Sequence, residues 1–304
     1  MIRQNFNADW TVEKGDGNSR MNSFLGNTQT KTVHLPYDAM IHEARTPDTK
    51  NGAQTGFYPG GEYIFQKHFT APQAWQGKPV SLVFEGVYQT ALVYLNGWLL
   101  TRNVNGYAEF TVEAGPYLKY GADNLLKVIA DNSLEPNSRW YTGSGIYRPV
   151  RLLVGNKVYL PQDTVRITTR EADEGFALLD VTAQVQSAST VTERVTLQQT
   201  ICREGTAVLT DRQNLLLQPG ESRTVSFRYC VDSPALWSPE NPNLYTSTMQ
   251  VLEGEEELDR EETGFGIRTL SIDAAHGVRI NGQTVKLRGA CIHHDNGILG
   301  AATL

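Results

Sequence analysis

The feature that most constrains the fold of this chain is a succession of short apolar segments separated by turn residues. Val80–Phe84 and residues 91–95 have the length and composition of strands, and Asn96-Gly97 follows directly. Asn-Gly between two apolar runs is the strongest short-range sign of a β-hairpin, because both turn residues need a positive φ. No segment keeps a 3.6-residue apolar period over a dozen positions. The sequence therefore predicts an all-β protein built from sandwiches.

A change in the strand pattern near residue 156 divides the chain. Beyond it, residues 164–169 and 179–185 alternate apolar with polar side chains, as half-buried antiparallel strands do. About seven such strands within roughly 110 residues are the number expected of an immunoglobulin-like sandwich. We therefore predict one β-sandwich domain at residues 1–156 and an immunoglobulin-like β-sandwich at residues 157–270.

A third segment, residues 271–304, has a different pattern. Residues 277–282 predict a strand and a turn, and residues 285–289 predict the beginning of a buried strand. A single buried strand cannot satisfy its backbone groups without neighbouring strands. We therefore interpret residues 271–304 as the start of a truncated domain.

Charge and hydropathy exclude several classes of partner. The formal net charge is −6, whereas a nucleic-acid-binding protein usually carries a basic patch. No apolar run is long enough to span a membrane. We therefore expect neither nucleic acid nor membrane as a partner. The first residues contain no apolar core of a signal peptide. The compartment stays open between the cytoplasm and a periplasmic or secreted location with the leader removed.

The three cysteines, Cys202, Cys230 and Cys291, are too few for a disulfide framework. Two interpretations of the first pair remain. Cys202 and Cys230 either bridge the two sheets of a sandwich or stay as free, buried thiols.

Six segments, in order along the chain, resemble glycoside hydrolase family 2, which includes β-galactosidases, β-glucuronidases and β-mannosidases. The first, at residues 35–38, departs from the family by having Tyr37 where a histidine is usual, and residues 137–150 give the most specific match. The others are residues 84–87 with 93–97, residues 236–245, residues 264–268, and residues 287–289 with His293 and Asp295.

The resemblance implies a jelly-roll, galactose-binding-like domain at residues 1–156 and the first strand of a (β/α)₈ barrel in residues 271–304. It also implies that the chain is the N-terminal part of a retaining β-glycosidase, most closely a β-galactosidase, acting on a carbohydrate substrate. Retention needs two carboxyl groups about 5–5.5 Å apart. No position of this chain matches either family glutamate, so no catalytic residue is assigned and the 304-residue chain is expected to be inactive.

His293 and Asp295 are predicted to bind substrate. Residues two apart in a strand share a face, so both side chains would continue the face of Leu287 and Gly289. They lie where the strand would end, and the C-terminal strand ends of a (β/α)₈ barrel form its active site. Adjacent residues in a strand point apart, so we predict no metal site at residues 293–295. We expect no cofactor, although the resemblance leaves open a metal ion in the barrel and a homo-oligomeric parent.

Asp131 is the third predicted substrate-binding residue. It follows the apolar residues 125–130 and starts a loop, and the resemblance implies an aspartate that extends from the jelly roll into the sugar pocket. The alternative is a turn-forming aspartate that bonds its own backbone. At the level of the whole chain, the alternatives to an enzyme fragment are a stand-alone carbohydrate-binding module and a scaffold module.

Overall fold

The computed structural model describes residues 1–15, 30–134 and 143–290. These residues form two compact units, Ile2–Val154 and Gly155–Ala290, with Met1 grouped in the second. Both units consist of antiparallel sheets, which confirms the predicted all-β fold of two sandwiches. The helical residues in this part of the chain form only four 3₁₀ turns, and none of them is long or apolar enough to cross a membrane.

The first unit is a jelly-roll sandwich, in which the described residues form ten strands. Its strands are β1 (Ile2–Asn5), β2 (Trp10–Lys14), β3 (Lys31–Val33), β4 (Gly61–Thr70), β5 (Val80–Phe84), β6 (Thr90–Leu95), β7 (Trp98–Asn103), β8 (Phe110–Glu113), β9 (Asp123–Asn132) and β10 (Val150–Val154). One sheet has the order β3-β2-β4-β9-β6-β7 and the other has the order β1-β10-β5-β8. The four 3₁₀ turns, Met40–His42, Gly52–Thr55, Gln73–Trp75 and Gly115–Tyr117, all lie in connections of this unit.

Alternation along the strands builds the core of the jelly roll. In β9, Leu126, Val128 and Ala130 are completely buried and belong to one apolar cluster with Trp10 and Phe84. The hairpin between β6 and β7 has the predicted Asn96-Gly97 turn, with φ of +52° and +90°. These two values are what a type I′ turn requires, so the hairpin prediction is confirmed.

The second unit contains an immunoglobulin-like sandwich. Its strands are β11 (Val158–Tyr159), β12 (Arg166–Ala172), β13 (Phe176–Ser187), β14 (Glu193–Arg203), β15 (Thr206–Leu217), β16 (Ser222–Asp232), β17 (Tyr245–Glu253) and β18 (Glu256–Phe265). Strand β13 pairs with β11, β12 and β16, and the other sheet has the order β15-β14-β17-β18.

Cys202 and Cys230 are free thiols in the second unit; Cys202 is half-buried and Cys230 is exposed. The structure therefore shows neither a disulfide between them nor a pair of buried thiols.

A small three-stranded sheet follows the second sandwich, formed by β19 (Leu270–Asp273), β20 (Gly277–Ile280) and β21 (Gln283–Thr284). Its connection is fixed by Trp237, whose backbone N–H donates to the Ile267 carbonyl over 2.8 Å and whose ring lies 4.2 Å from the Arg268 guanidinium carbon. The Asn281 amide donates to the Trp237 carbonyl over 3.0 Å. The three-stranded sheet is therefore tied to the loop that precedes β17.

The predicted barrel strand is not formed in the part of the segment that the structure describes. Residues 285–290 adopt no strand, and the Leu287 side chain is 71% exposed where the prediction needs it buried. The Val285 N–H donates to the Val278 carbonyl, but no ladder continues from it among the described residues. A strand gains its backbone hydrogen bonds only from a neighbouring strand, and no strand of the described residues lies beside residues 285–290. Residues 291–304 lie outside the described ranges.

Candidate functional site

Asp131 lies at one end of the six-stranded sheet of the jelly roll and points away from the core. It is the penultimate residue of β9, and its neighbours in the adjacent strands are Glu62 of β4 and Thr90 of β6. Ala130 and Asn132 are buried on the core side, so alternation along the strand turns Asp131 to the other face. Cβ atoms of directly opposed residues lie about 4.5–5.5 Å apart. Two carboxylates and a hydroxyl are therefore side by side at this end of the sheet.

The carboxylate of Asp131 makes one local hydrogen bond. Its Oδ1 accepts the backbone N–H of Ser133 over 2.9 Å. This hydrogen bond forms an Asx turn, as expected if Asp131 is a turn-forming aspartate. The Oδ2 atom accepts no hydrogen bond from any residue in the described ranges, and the side chain is half-buried. One oxygen thus shapes the turn and the other is available to a ligand, so the turn and the binding role are compatible.

Asn132 holds the end of β9 in place. Its side chain is buried, and Nδ2 donates to the Gly143 carbonyl over 3.1 Å and to Ser144 Oγ over 2.8 Å. The Ser144 N–H in turn donates to Asp38 Oδ1, which also accepts the Met40 N–H. This chain of hydrogen bonds fixes the end of β9 next to Asp131 before any ligand arrives, which lowers the entropic cost of binding.

Gly145 brings a second segment against the same end of the sheet. Its N–H and carbonyl pair with the carbonyl and N–H of Tyr88, both over 3.0 Å, and Tyr88 precedes Thr90 by two residues. The backbone of Gly145 has φ +126°, and a Cβ would lie 2.8 Å from the Tyr37 carbonyl oxygen. Only glycine fits this conformation and this space, which gives a physical reason for the Gly-Ser-Gly of the most specific matching segment.

Two tyrosines form an aromatic rim beside this end of the sheet. Tyr88 is buried, and its ring lies 5.5 Å from that of Tyr107, which is 53% exposed. Asn105 shapes the turn, because its Oδ1 accepts the N–H of Tyr107 over 3.0 Å. Tyr147 donates its hydroxyl to the Gly106 carbonyl over 2.7 Å. The sequence analysis missed Tyr107; the Asn-Gly-Tyr turn at residues 105–107 was the available sign.

A buried tyrosine hydroxyl faces carboxylates on the same side of the unit. Burial raises the pKa of Tyr63 far above its usual range, and the negative charges of Glu43 and Asp38 raise it further. Glu43 is itself paired with Lys14, whose Nζ lies 2.6 Å from Oε2. Tyr63 therefore stays a neutral phenol at every physiological pH.

Tyr37, the departure from the family's usual histidine, is part of a stacked pair. Its ring lies 4.9 Å from the His42 ring with 14° between their planes, and the Lys31 ammonium donates to its hydroxyl over 3.2 Å. The Phe65 ring meets it edge-on at 6.4 Å. In this chain residue 37 therefore packs against neighbouring rings, and the Lys31 hydrogen bond holds its hydroxyl group in place.

The remaining predicted site residues cannot be compared with the structure. His293 and Asp295 both lie outside the described residues. Their roles stay predictions, and of the three predicted substrate-binding residues only Asp131 has a described environment. Within residues 1–15, 30–134 and 143–290, no group of three or more His, Cys, Asp and Glu side chains could hold a metal ion.

Two family models match the chain. The model for glycosyl hydrolases family 2 matches residues 158–268, and the model for the glycosyl hydrolase 2 galactose-binding domain-like domain matches residues 10–177. Together they cover most of both units.

Individual relatives agree with the family models. The chain is 35% identical to a beta-galactosidase of Bacteroides ovatus, over 99% of this chain and 35% of that protein, and 31% identical to a putative beta-glucuronidase of Formosa agariphila, over 99% and 28%. A solved glycosyl hydrolase family 2 member from Bacteroides cellulosilyticus superposes with a TM-score of 0.89 at 32% identity, over 99% of this chain and 40% of that chain. The chain thus spans about a third of the length of the curated relatives it matches.

Proposed function

The chain belongs to glycosyl hydrolase family 2, and from that premise we propose that it forms the N-terminal, non-catalytic part of a retaining β-glycosidase, most closely a β-galactosidase. The jelly roll would supply Asp131 to the sugar pocket, and the immunoglobulin-like sandwich would connect it to the catalytic domain. The observation that carries this proposal is the position of Asp131, at a rigid end of the sheet with one carboxylate oxygen available to a ligand.

Asp131 is suited to bind a sugar and not to cleave it. A retaining glycosidase places its two carboxyl groups about 5–5.5 Å apart on either side of the scissile bond. Glu62 and Asp131 are close together, but both belong to one face of a sheet, so both would meet the same side of a sugar ring. We therefore assign neither the acid nor the nucleophile to this pair of carboxylates.

The chemistry at Asp131 is hydrogen bonding to hydroxyl groups. An ionised carboxylate accepts hydrogen bonds and donates none, so its Oδ2 would take the proton of a glycone hydroxyl. A charge-assisted hydrogen bond of this kind contributes about 1.5–3 kcal/mol, which corresponds to roughly a ten- to hundredfold change in kcat/KM. His293 and Asp295, if they line the same pocket, would supply a donor and further acceptors.

The test uses the protein from the complete open reading frame, with Asp131→Ala and Asp131→Asn. Asparagine keeps an oxygen for the Ser133 N–H and removes the charge, so it separates the turn from the binding role. We expect both variants to lose about ten- to a hundredfold in kcat/KM on an aryl β-galactoside. We expect Asp131→Asn to keep the melting temperature. Asp123→Ala, an exposed aspartate at the other end of β9, is the matched control.

Wild-type kcat/KM in Asp131→Asn would overturn the binding role and leave only the turn. A higher kcat/KM for the aryl β-glucuronide than for the aryl β-galactoside would overturn the preference for a β-galactosidase. The polypeptide of residues 1–304 alone should hydrolyse neither substrate. Turnover that persists through repurification and is missing from a mock preparation would contradict that expectation.

A further inference from the structure

An exposed pair of aromatic rings lies at the end of the jelly-roll sheet opposite to Asp131. Trp98, which follows the Asn96-Gly97 turn, is 64% exposed, and Tyr117, in the Gly115–Tyr117 turn, is 38% exposed. The ring centroids are 6.5 Å apart, with 45° between the planes. A tryptophan that leaves most of its surface in water loses the gain that burial would give, so this pair of rings, the aromatic platform, needs an explanation.

The aromatic platform is held rigidly by two asparagine amides. Asn96 Nδ2 donates to the Tyr117 carbonyl over 2.8 Å and to Asn124 Oδ1 over 2.8 Å, while its Oδ1 accepts the Leu125 N–H over 3.1 Å. Asn124 is completely buried, and its Nδ2 donates to the Lys119 carbonyl over 2.9 Å. Both side-chain amides thus donate and accept hydrogen bonds within this region. These bonds fix the loop that carries Tyr117 relative to the turn that carries Trp98.

The platform is too small for a stable protein interface and suits a single ring. At 64% and 38% exposure, the two side chains offer roughly 250 Å² of surface. A stable protein interface needs about 800 Å² from each partner. The faces of indole and phenol rings carry negative charge density, which attracts the weakly positive C–H groups on the apolar face of a pyranose. A fixed pair of tilted rings also pays little ordering entropy on binding.

We propose that Trp98 and Tyr117 form a second carbohydrate-binding site, which holds a pyranose unit of a polysaccharide or long oligosaccharide by stacking. It lies away from the Asp131 site, because Asn124 and Asp131 are seven residues apart in β9, and a strand rises about 3.3 Å per residue, so roughly 23 Å separates the two ends. The site is independent of the role proposed for Asp131. Its function would be to keep the protein on an extended substrate rather than to position the scissile bond.

Affinity gel electrophoresis of residues 1–304 in gels containing β-1,4-galactan, arabinogalactan, xyloglucan or galactomannan tests the proposal. We expect retardation by at least one of these polysaccharides. Trp98→Ala should weaken the association at least tenfold and Tyr117→Ala at least threefold, whereas Leu99→Ala should stay within twofold of the wild type. Leu99 is the matched control, since it is 51% exposed and next to Trp98 on the opposite face of β7. Circular dichroism checks that the variants fold.

Three results would overturn the second site. The first is no retardation of the wild type by any of the four polysaccharides. The second is equal retardation of the wild type and the Trp98→Ala variant, since the Trp98 ring would then contribute nothing to binding. The same holds if Asp131→Ala abolishes the retardation and Trp98→Ala does not, since the polysaccharide would then bind at the Asp131 end of the sheet. The third is concentration-dependent dimerisation in analytical ultracentrifugation that Trp98→Ala abolishes, since the rings would then be covered by a second copy.

Discussion

Replacing Gly145 with alanine should destabilise the jelly-roll unit for two separable reasons. At φ +126° an L-residue is strained, and a Cβ would lie 2.8 Å from the Tyr37 carbonyl oxygen and 2.9 Å from Phe65 Cζ. Backbone strain costs about 1–3 kcal/mol, and overpacking a core costs a similar amount. Gly145→Ala should therefore lower the free energy of unfolding by about 2–6 kcal/mol if the two costs add.

Three other glycines of the same unit separate these two costs. Gly97 has φ +90° with open space around its Cβ position, so Gly97→Ala should cost only strain, about 1–2 kcal/mol. Gly106 has no positive φ, but its Cβ would lie 2.3 Å from Tyr88 Cδ2, so Gly106→Ala should cost about 1–3 kcal/mol by overpacking. Gly115→Ala meets ordinary contact distances and should be close to neutral.

Urea unfolding of the four variants gives the free energies, and hydrogen exchange on peptides from residues 61–132 assigns them to the jelly-roll unit. For a domain of this size each kcal/mol lost lowers the melting temperature by about 2–4 °C. Gly145→Ala should be the least stable of the four. If it is no less stable than Gly97→Ala, the close contacts of Gly145 with Tyr37 and Phe65 do not exist and the steric reasoning is refuted.

Three further predictions concern other parts of the chain. Asn132→Ala should lower the free energy of unfolding by about 1–3 kcal/mol in urea unfolding, because it removes a buried hydrogen-bond donor. Hydrogen bonds from Arg228 first, and then from a second arginine, lower the pKa of Asp180 to about 2. This folded pKa lies below the unfolded value of about 3.9, so the stabilisation is present above about pH 4 and is lost as the pH falls towards about 2. Asp180→Asn should therefore lower the melting temperature at pH 6 and change it little at pH 2 in scanning calorimetry. Alkylation of the folded protein should label Cys230 before Cys202, because Cys230 is exposed; mass spectrometry of timed samples would show the reverse order if the described burial is wrong.

Alternation between core and solvent allowed many strands to be predicted from the sequence, and β15 is one of the strands that were not predicted. Strand β15 (Thr206–Leu217) lies at the edge of its sheet, and Leu215 and Leu217 are its only buried residues. Its stability comes from the backbone ladder with β14, so the side chains show no alternating pattern. Residues 285–290 show the opposite case, in which an apolar pattern forms no strand and no partner strand lies beside it in the part of the chain that the structure describes.

The site was predictable where it depended on local sequence, and not where it depended on tertiary packing. The place of Asp131 could be predicted from the apolar run before it, although it is the penultimate residue of a strand instead of the start of a loop, because Glu62 and Thr90 continue to pair beside it. Its binding role stays a prediction. Trp98 could not be found in this way, and the Asn-Gly-Tyr turn indicates only that Tyr107 lies in a turn, not that it lies beside the site. Single exposed aromatics carry no period, and their importance depends on which distant ring or loop lies next to them.

The placement of Asp131 and Asn132 on opposite faces of β9 has a consequence for how this region can evolve. Substitutions in the neighbouring loops leave both side chains where they are, because β4 and β6 hold the strand on either side. Deleting or inserting one residue within β9 would instead exchange them, burying a carboxylate and exposing the amide that fixes the strand end. Relatives that keep this site are therefore expected to vary freely in loop length and to keep the number of residues in this strand unchanged.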